Sequence, residues 1–328
     1  MRGRAVAVSL GLFAAIVVVL MAALGTGAIQ VSPPDVVRTL LGNGSRITNF
    51  AVLELRLPRA AVALLVGAAL GMSGAVFQSL SRNALGSPDI IGFTYGSATG
   101  GLLVILVFGG TAATVSLGAV AGGLITAILV YVLAWQKGVR GARLVLIGIG
   151  VSAILQSINF YLLVNASITD AGRATVWIAG SLNNRGWNEA IPLAVELVLI
   201  IPAILAGAKW LKMLEMGDEA ARSLGVPIEG SRLYLLVVGV AACAAATAAA
   251  GPIAFVALTA PQLAKRLTRA TGPNLLPAAW MGALLVLLAD FTAQRVAGST
   301  LLPVGAATAA LGGVYLGWVL YRNRATTS

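Results

Sequence analysis

Residues 58–80 read PRAAVALLVGAALGMSGAVFQSL, and apart from Arg59 near its head the segment carries no charged side chain. About 20 helical residues, rising about 1.5 Å each, cross the roughly 30 Å hydrocarbon core of a bilayer. This segment is therefore a membrane span. Outward from it, apolar runs recur at 5–26, 91–109, 113–135, 143–164, 190–207, 233–250, 253–264, 276–296 and 305–321. The 328-residue chain is 59% hydrophobic and 10% charged, where a soluble domain carries about 25% charged residues. The pattern predicts an all-α integral membrane protein of about ten helices, a single transmembrane domain over 1–328. No room remains for a sizeable soluble domain, so any nucleotide chemistry has to come from a partner.

Composition removes several classes of function. There is no histidine, which excludes His-based zinc sites, general bases and proton relays. The one cysteine, Cys243, lies in an Ala-rich apolar run and offers neither a disulfide framework nor a thiolate metal site. No Gly-x-x-x-x-Gly-Lys-Ser/Thr phosphate loop occurs, so the chain does not bind ATP by that means. The net charge of +11 would suggest nucleic acid in a soluble protein. Here it reflects Lys and Arg gathered in cytoplasmic loops.

Sidedness follows from the same charges. Met1-Arg-Gly-Arg4 before an apolar run to about Leu24 resembles a signal peptide, but the length of the run and the spans behind it favour an anchor. With both ends inside, only Arg38, Arg46, Arg56, Arg59, Arg173, Arg185 and Arg295 fall outside, and the other Lys and Arg, Lys137 and Arg140 among them, are cytoplasmic. The short eighth span, 253–264, is needed to keep Lys265, Arg266 and Arg269 inside. Pro33-Pro34 and Asn43-Gly44 mark an external loop with a short amphipathic stretch at Val36–Leu41. Leu57-Pro and Leu276-Pro each open an apolar helix, and on this topology the two run in opposite directions, as an inverted repeat requires. Gly67-x-x-x-Gly71 and Gly118-x-x-x-Gly122 are helix-packing faces.

Few polar residues are candidates for function. Glu196 and Asp290 are the intramembrane carboxylates, groups that a proton-coupled secondary carrier would use or that hydrogen-bond a neighbouring helix. A multi-pass membrane enzyme is disfavoured, since no Asp or Glu cluster lies in the spans. The loop 214–227, Leu-Glu-Met-Gly-Asp-Glu-Ala-Ala-Arg-Ser-Leu-Gly-Val-Pro, reads as one short surface helix. Asp218 and Glu219 suit its N-terminal end, and Gly225 and Pro227 stop it. Its mixed charge favours docking in a protein groove over lying on lipid. Arg56 and Arg59 at the mouth of the second span, with Arg295 ending the ninth, form a cationic external face. Such a face snorkels to lipid phosphate or pairs with carboxylates of a docking protein or an anionic solute.

In these blocks the chain resembles the permease subunits of bacterial binding-protein-dependent ABC importers for iron–siderophores, haem and cobalamin. The likeness rests on Arg56-Leu-Pro-Arg59, Gly67 to Gly74, Gln78 with Arg82-Asn83-Ala-Leu85-Gly-Ser-Pro88, and Trp177-x-x-Gly180-Ser181-Leu182. It continues in Asp218–Gly225, Gly251-Pro-Ile-Ala-Phe-Val256, Ala260-Pro261, Ala289-Asp290 and Leu302-Pro303-Val-Gly305. Gln78-Ser-Leu-x-Arg82-Asn83, Pro88-Asp89-x-x-Gly92-Phe93 and Leu146-Ile-Gly-Ile-Gly150 look most similar to permeases for catecholate siderophores such as ferric enterobactin.

The resemblance implies a type II importer permease fold of ten helices in the bacterial cytoplasmic membrane. It implies a second, non-identical permease, two ATPase subunits that bind the ATP and magnesium, and an extracytoplasmic solute-binding protein. The cargo would be an iron(III)–siderophore complex, with no cofactor and no bond chemistry in this chain. It also implies that Arg56, Arg59 and Arg295 dock the binding protein and that Asn83 and Leu85 belong to a cytoplasmic gate. Gly217, Asp218, Glu219, Ala220, Ala221, Arg222, Ser223, Leu224 and Gly225 would form the coupling helix in the ATPase cleft. Two departures stand out. Gln262 and Lys265 replace the family's usual His and Arg, and Ala84 stands where Pro is usual.

Overall fold

The computed structural model describes residues 2–136, 141–296 and 302–324, and every regular element among them is helical. Lys137 and Arg140, which entered the charge count, lie outside the described residues. In chain order the helices are α1 (Arg2–Gly25), α2 (Pro33–Leu40), α3 (Arg46–Asn49), a π-helical stretch (Phe50–Arg56), α4 (Leu57–Ser81), α5 (Pro88–Ile91), α6 (Phe93–Leu106), α7 (Ala112–Ala134) and α8 (Gly141–Val164). They continue with α9 (Ile168–Ile178), α10 (Trp187–Ala206), α11 (Ala208–Glu215), α12 (Asp218–Ser223), α13 (Ile228–Ala250), α14 (Val256–Thr268), α15 (Leu275–Val296) and α16 (Val304–Arg324).

Length and apolarity mark seven of these segments as able to cross a membrane. The other three expected spans fall on α6, α14 and α16, whose apolar stretches are shorter. Most helix ends fall within a few residues of the expected ones, the seventh span starting five residues early at Ile228; three differences bear on the site. The second span begins earlier, because the residues before Leu57 continue the helix back to Arg46, where Ser45 caps it by accepting from Thr48 N. The eighth starts at Val256 rather than 253, since Gly251 (φ +75°) and Phe255 (φ +68°) hold the intervening chain out of helical geometry. The expected single helix over 214–227 is two. Gly217, at φ +111°, breaks the chain between α11 and α12, a conformation that glycine adopts without a Cβ clash.

Helix α4 is the hub, buried around nearly its whole circumference and packed along α15, α13, α10 and α14. Close approach to α15 depends on missing side chains. A Cβ on Gly67 would collide with the carbonyl of Gly282, one on Gly71 with that of Ala278, and one on Gly74 with that of Ala257 on α14. Contacts of Gly67 with Gly282 and of Gly71 with Ala278 define antiparallel helices, the opposed directions that the two Leu-Pro starts called for. The second expected small-residue face also packs: Gly118 and Gly122 on α7 meet Gly100 and Gly96 on α6, backbone to backbone.

Three motif blocks distant in sequence converge where α9, α13 and α16 end or begin. Ser181 N donates to Ala250 O at 2.8 Å, and Gly305 N donates to Gly180 O at 2.9 Å. Such bonds satisfy loop backbone that would otherwise be stranded inside the bilayer. Beside this junction lies a cavity of about 600 Å³ whose wall includes Asp89, Tyr95, Asn159, Pro252 and Gly305.

The seam predicts that Gly67→Val lowers the yield and melting temperature of the detergent-solubilised protein, with an overpacking cost of about 1–3 kcal/mol. Gly150→Ala, where a Cβ meets open space, should leave both unchanged in the same thermal melt.

Candidate functional site

Polar side chains gather at the two ends of α4, whose residues 59 and 82 lie about 35 Å apart at 1.5 Å per residue. The end expected in the cytoplasm is built by the turn out of the helix. Arg82 adopts the left-handed conformation (φ +50°) and Asn83 N donates back to Gln78 O at 3.1 Å, which reverses the chain. Asn83 Oδ1 then accepts from Leu85 N at 3.0 Å, a side-chain turn of the kind Asn favours. This leaves Leu85, an apolar side chain 49% exposed, at the tip of the loop.

Two glutamines lash the loop to α14. Gln78 Nε2 donates to Leu258 O at 2.8 Å, while Gln262 Nε2 donates to Gln78 Oε1 at 3.1 Å and to Ala84 O at 2.9 Å. Gln262 therefore bonds the loop directly, and an amide does so without titrating. Further along, Asp89 accepts from Thr94 Oγ1 at 2.9 Å and from Phe255 N at 3.1 Å, tying the far end of the same loop to the start of α14.

The expected coupling segment lies against this loop. Asp218, first residue of α12, accepts from Arg232 at 2.6 Å and from Arg82 at 3.3 Å. One carboxylate thus joins α12 to the base of α13 and to Arg82, which opens the loop of Asn83 and Leu85. Burial works against its charge, but the bond and charge of Arg232 and the charges of Arg82 and Arg222 outweigh it and hold the carboxyl below its usual range. Alongside, Glu215 at the end of α11 accepts from Ser79 Oγ at 2.5 Å and lies 3.7 Å from Lys265 Nζ. Ala221 is buried, so the helix sits down on one face. Glu219, Arg222, Ser223, Leu224 and Gly225 are exposed on the other, with Leu224 60% exposed; Gly217 and Ala220 are half-buried. Gly225, at φ +79°, ends the turn.

At the opposite end the three expected docking arginines lie near one another but do different things. Arg56 is committed to backbone, with Nη1 donating to Leu24 O at 2.7 Å and Nη2 to Ile29 O at 2.5 Å, which pins the segment after α1. Arg59 forms a two-pronged pair with Asp290 on α15, at 2.7 Å from Nη2 and 3.0 Å from Nε. Their side chains are only 20% and 5% exposed, and Gln294 Nε2 donates to the same carboxylate at 2.7 Å. Arg295 is exposed, lies over the Phe291 ring, and donates to Phe291 O and to Thr26 Oγ1. A cavity of about 300 Å³ opens among Thr26, Arg56, Arg59, Asp290 and Gln294.

The two intramembrane carboxylates are not brought together. Asp290 bonds across helices to Arg59, whereas Glu196 projects from the exposed face of α10 between exposed Val195, Val198 and Leu199. Residue spacing could not reveal the partners of Asp218, nor the Gln78–Gln262 bond, because each joins elements far apart in the chain. The only sequence signal was that most of these residues sit inside the motif blocks.

The fold is that of a multi-pass helical membrane protein with a hydrogen-bonded loop at one end of its central helix and an arginine-lined pocket at the other. The chain belongs to the FecCD transport family, whose pattern it matches over residues 15–322. It is 45% identical to the ferric enterobactin transport system permease protein of Escherichia coli, over 89% of each chain. It is 36% identical to the iron(3+)-hydroxamate import system permease protein of Bacillus subtilis, over 94% of this chain and 95% of that one. The fold superposes on a metal-chelate type ABC transporter in an inward-facing conformation with a TM-score of 0.84 and 27% identity, covering 97% of this chain and 99% of that one. The chain is a multi-pass membrane permease of this family.

The Asp218 bridge yields a prediction. Asp218→Asn keeps the shape but removes the charge that both arginines meet, and should cost about 1–2 kcal/mol in a detergent melt, the pair being part-exposed. A carboxyl with a depressed pKa stabilises the fold above its unfolded pKa and loses that contribution as pH falls through its folded one. The difference between wild type and variant should therefore persist from neutral pH down to the ordinary carboxylate range and vanish only below it.

Proposed function

We propose that this chain is the permease subunit of an ABC importer that moves an iron(III)–siderophore complex of the catecholate class across the bacterial cytoplasmic membrane. The observation that carries the proposal is the 45% identity to a ferric enterobactin permease over nearly the whole of both chains. The chain pairs with a second, non-identical permease. Two ATPase subunits supply the energy by binding and hydrolysing ATP, and an extracytoplasmic binding protein delivers the cargo.

The geometry supports a specific division of labour. The exposed side of α12, Glu219 to Leu224, enters the ATPase cleft. When the ATPases close on ATP, α12 shifts, and Asp218 carries that shift into Arg82 and the loop of Asn83 and Leu85, and through Arg232 into α13. Gln262 and Asp89 make α14 move with the loop, so the pore changes state as a unit. ATP binding drives the change only through its different affinity for the two arrangements. Of Arg56, Arg59 and Arg295, only Arg295 has an exposed side chain, so it leads docking of an acidic binding protein. Arg56 and Arg59 set the shape and charge of the pocket beneath it.

In a strain lacking the chromosomal copy, this chain should restore uptake of iron-55 from ferric enterobactin. Arg295→Glu should assemble normally yet lower uptake at least about tenfold, by replacing an attractive contact with a repulsive one. Reversal at Arg59 is a poorer probe, because a glutamate there would face Asp290 and damage the fold itself. Unimpaired ferric enterobactin uptake in the deletion strain, with uptake of a ferric hydroxamate lost, would refute the catecholate assignment and leave the permease.

A further inference from the structure

A groove of about 410 Å³ runs between α1 and α15 at their cytoplasmic ends, outside all the machinery described above. Its walls are Ala5, Val6, Ser9, Leu10 and Phe13 on α1 and Leu276, Pro277 and Trp280 on α15. Phe13 and Trp280 close its inner end in an edge-to-face contact, with ring centroids 5.6 Å apart. From Ala5 to Phe13 the helix rises about 12 Å, close to the depth of one leaflet of a roughly 30 Å hydrocarbon core. The groove is thus as long as the buried part of one acyl chain.

The other end of the groove is basic. Arg4, one residue before the wall begins, donates from Nε to Leu267 O at 2.9 Å, which fixes its guanidinium beside the C-terminus of α14. This bond leaves both Nη groups uncommitted among the described residues. Arg269, two residues beyond that carbonyl, is exposed and left-handed (φ +49°), and the loop it opens leads into α15. Neither arginine is paired with an acidic side chain among the described residues. A cationic rim at headgroup level over an apolar slot one leaflet deep matches one class of ligand.

We propose that this groove is a binding site for an anionic phospholipid of the cytoplasmic leaflet, one acyl chain lying against Phe13 and Trp280 and the headgroup phosphate between Arg4 and Arg269. Ordinary lipid coats any apolar helix face. What distinguishes this place is the concave seam combined with two arginines, each worth about a fivefold preference for an anionic headgroup, or about thirtyfold together. The site also gives α1 a second means of attachment, since most of α1 faces away from the protein core.

The test is native mass spectrometry of the full chain, with whatever subunits purify with it, after reconstitution in equal amounts of phosphatidylglycerol and phosphatidylcholine. Wild type should retain phosphatidylglycerol over phosphatidylcholine by about thirtyfold. The double variant Arg4→Gln, Arg269→Gln should approach parity with an unchanged melting temperature. Val6→Trp, a change at an exposed position that fills the slot, should lower retention of both lipids. Parity in wild type, or a preference unaltered in the double variant, would overturn the headgroup assignment. Undiminished retention in Val6→Trp would overturn the groove as the seat of the acyl chain. The siderophore proposal stands or falls separately, because no outcome here depends on transport.

Discussion

The backbone contact between α4 and α15 is the constraint on which the rest depends. Within a bilayer, helix association gains little from hydrophobic burial, so close packing must come from surfaces without side chains. Gly67, Gly71 and Gly282 supply such a surface, and Gly74 extends it to α14. Once the two helices touch, Arg59 falls opposite Asp290, a pair too deep to be tolerated unless both charges are matched and hydrogen-bonded. At the far end the same rod presents Gln78, Ser79 and Arg82 to α14, α11 and α12 in turn. A single stiff helix thus registers the arginine-lined pocket at one end against the Asn83–Leu85 loop at the other.

Both ends use the same chemistry for different purposes. At the pocket end Arg56 and Arg59 both bond within the chain; Asp290 neutralises Arg59, whereas Arg56, among the described residues, bonds only backbone carbonyls and keeps its charge. At the loop end Asp218 collects two arginines from different elements. The carboxylate is about one-third exposed, so water screens the bridge more than it would a fully buried one. Gln262 extends the connection to α14 without adding a group that titrates.

The architecture was legible because bilayer physics leaves few choices. Apolar runs, the bias of Lys and Arg, and glycine spacing pointed to the helices, their directions and the packing faces, and the motif blocks pointed to the family. Local backbone geometry was less legible. Nothing in Leu214–Pro227 distinguishes one helix from two until Gly217 takes a positive φ, and the helical stretch 46–56 hides behind Pro58, which is harmless in a first turn. Partners were least legible of all. Arg59 and Asp290 were both singled out, one for docking and one as an intramembrane carboxylate, yet sequence spacing could not show that they meet each other.

The central claim is that α12 is the contact through which a separate ATPase acts on this permease. Site-specific photo-crosslinking in the native host addresses it directly, with the crosslinker placed at Leu224 on the exposed side of α12's C-terminal cap and, as a control, at Ile168, 94% exposed on α9. The account predicts a covalent adduct from position 224 to an ATP-binding subunit that position 168 does not give. A chain that purifies alone, with position 224 capturing no ATP-binding subunit, would contradict it.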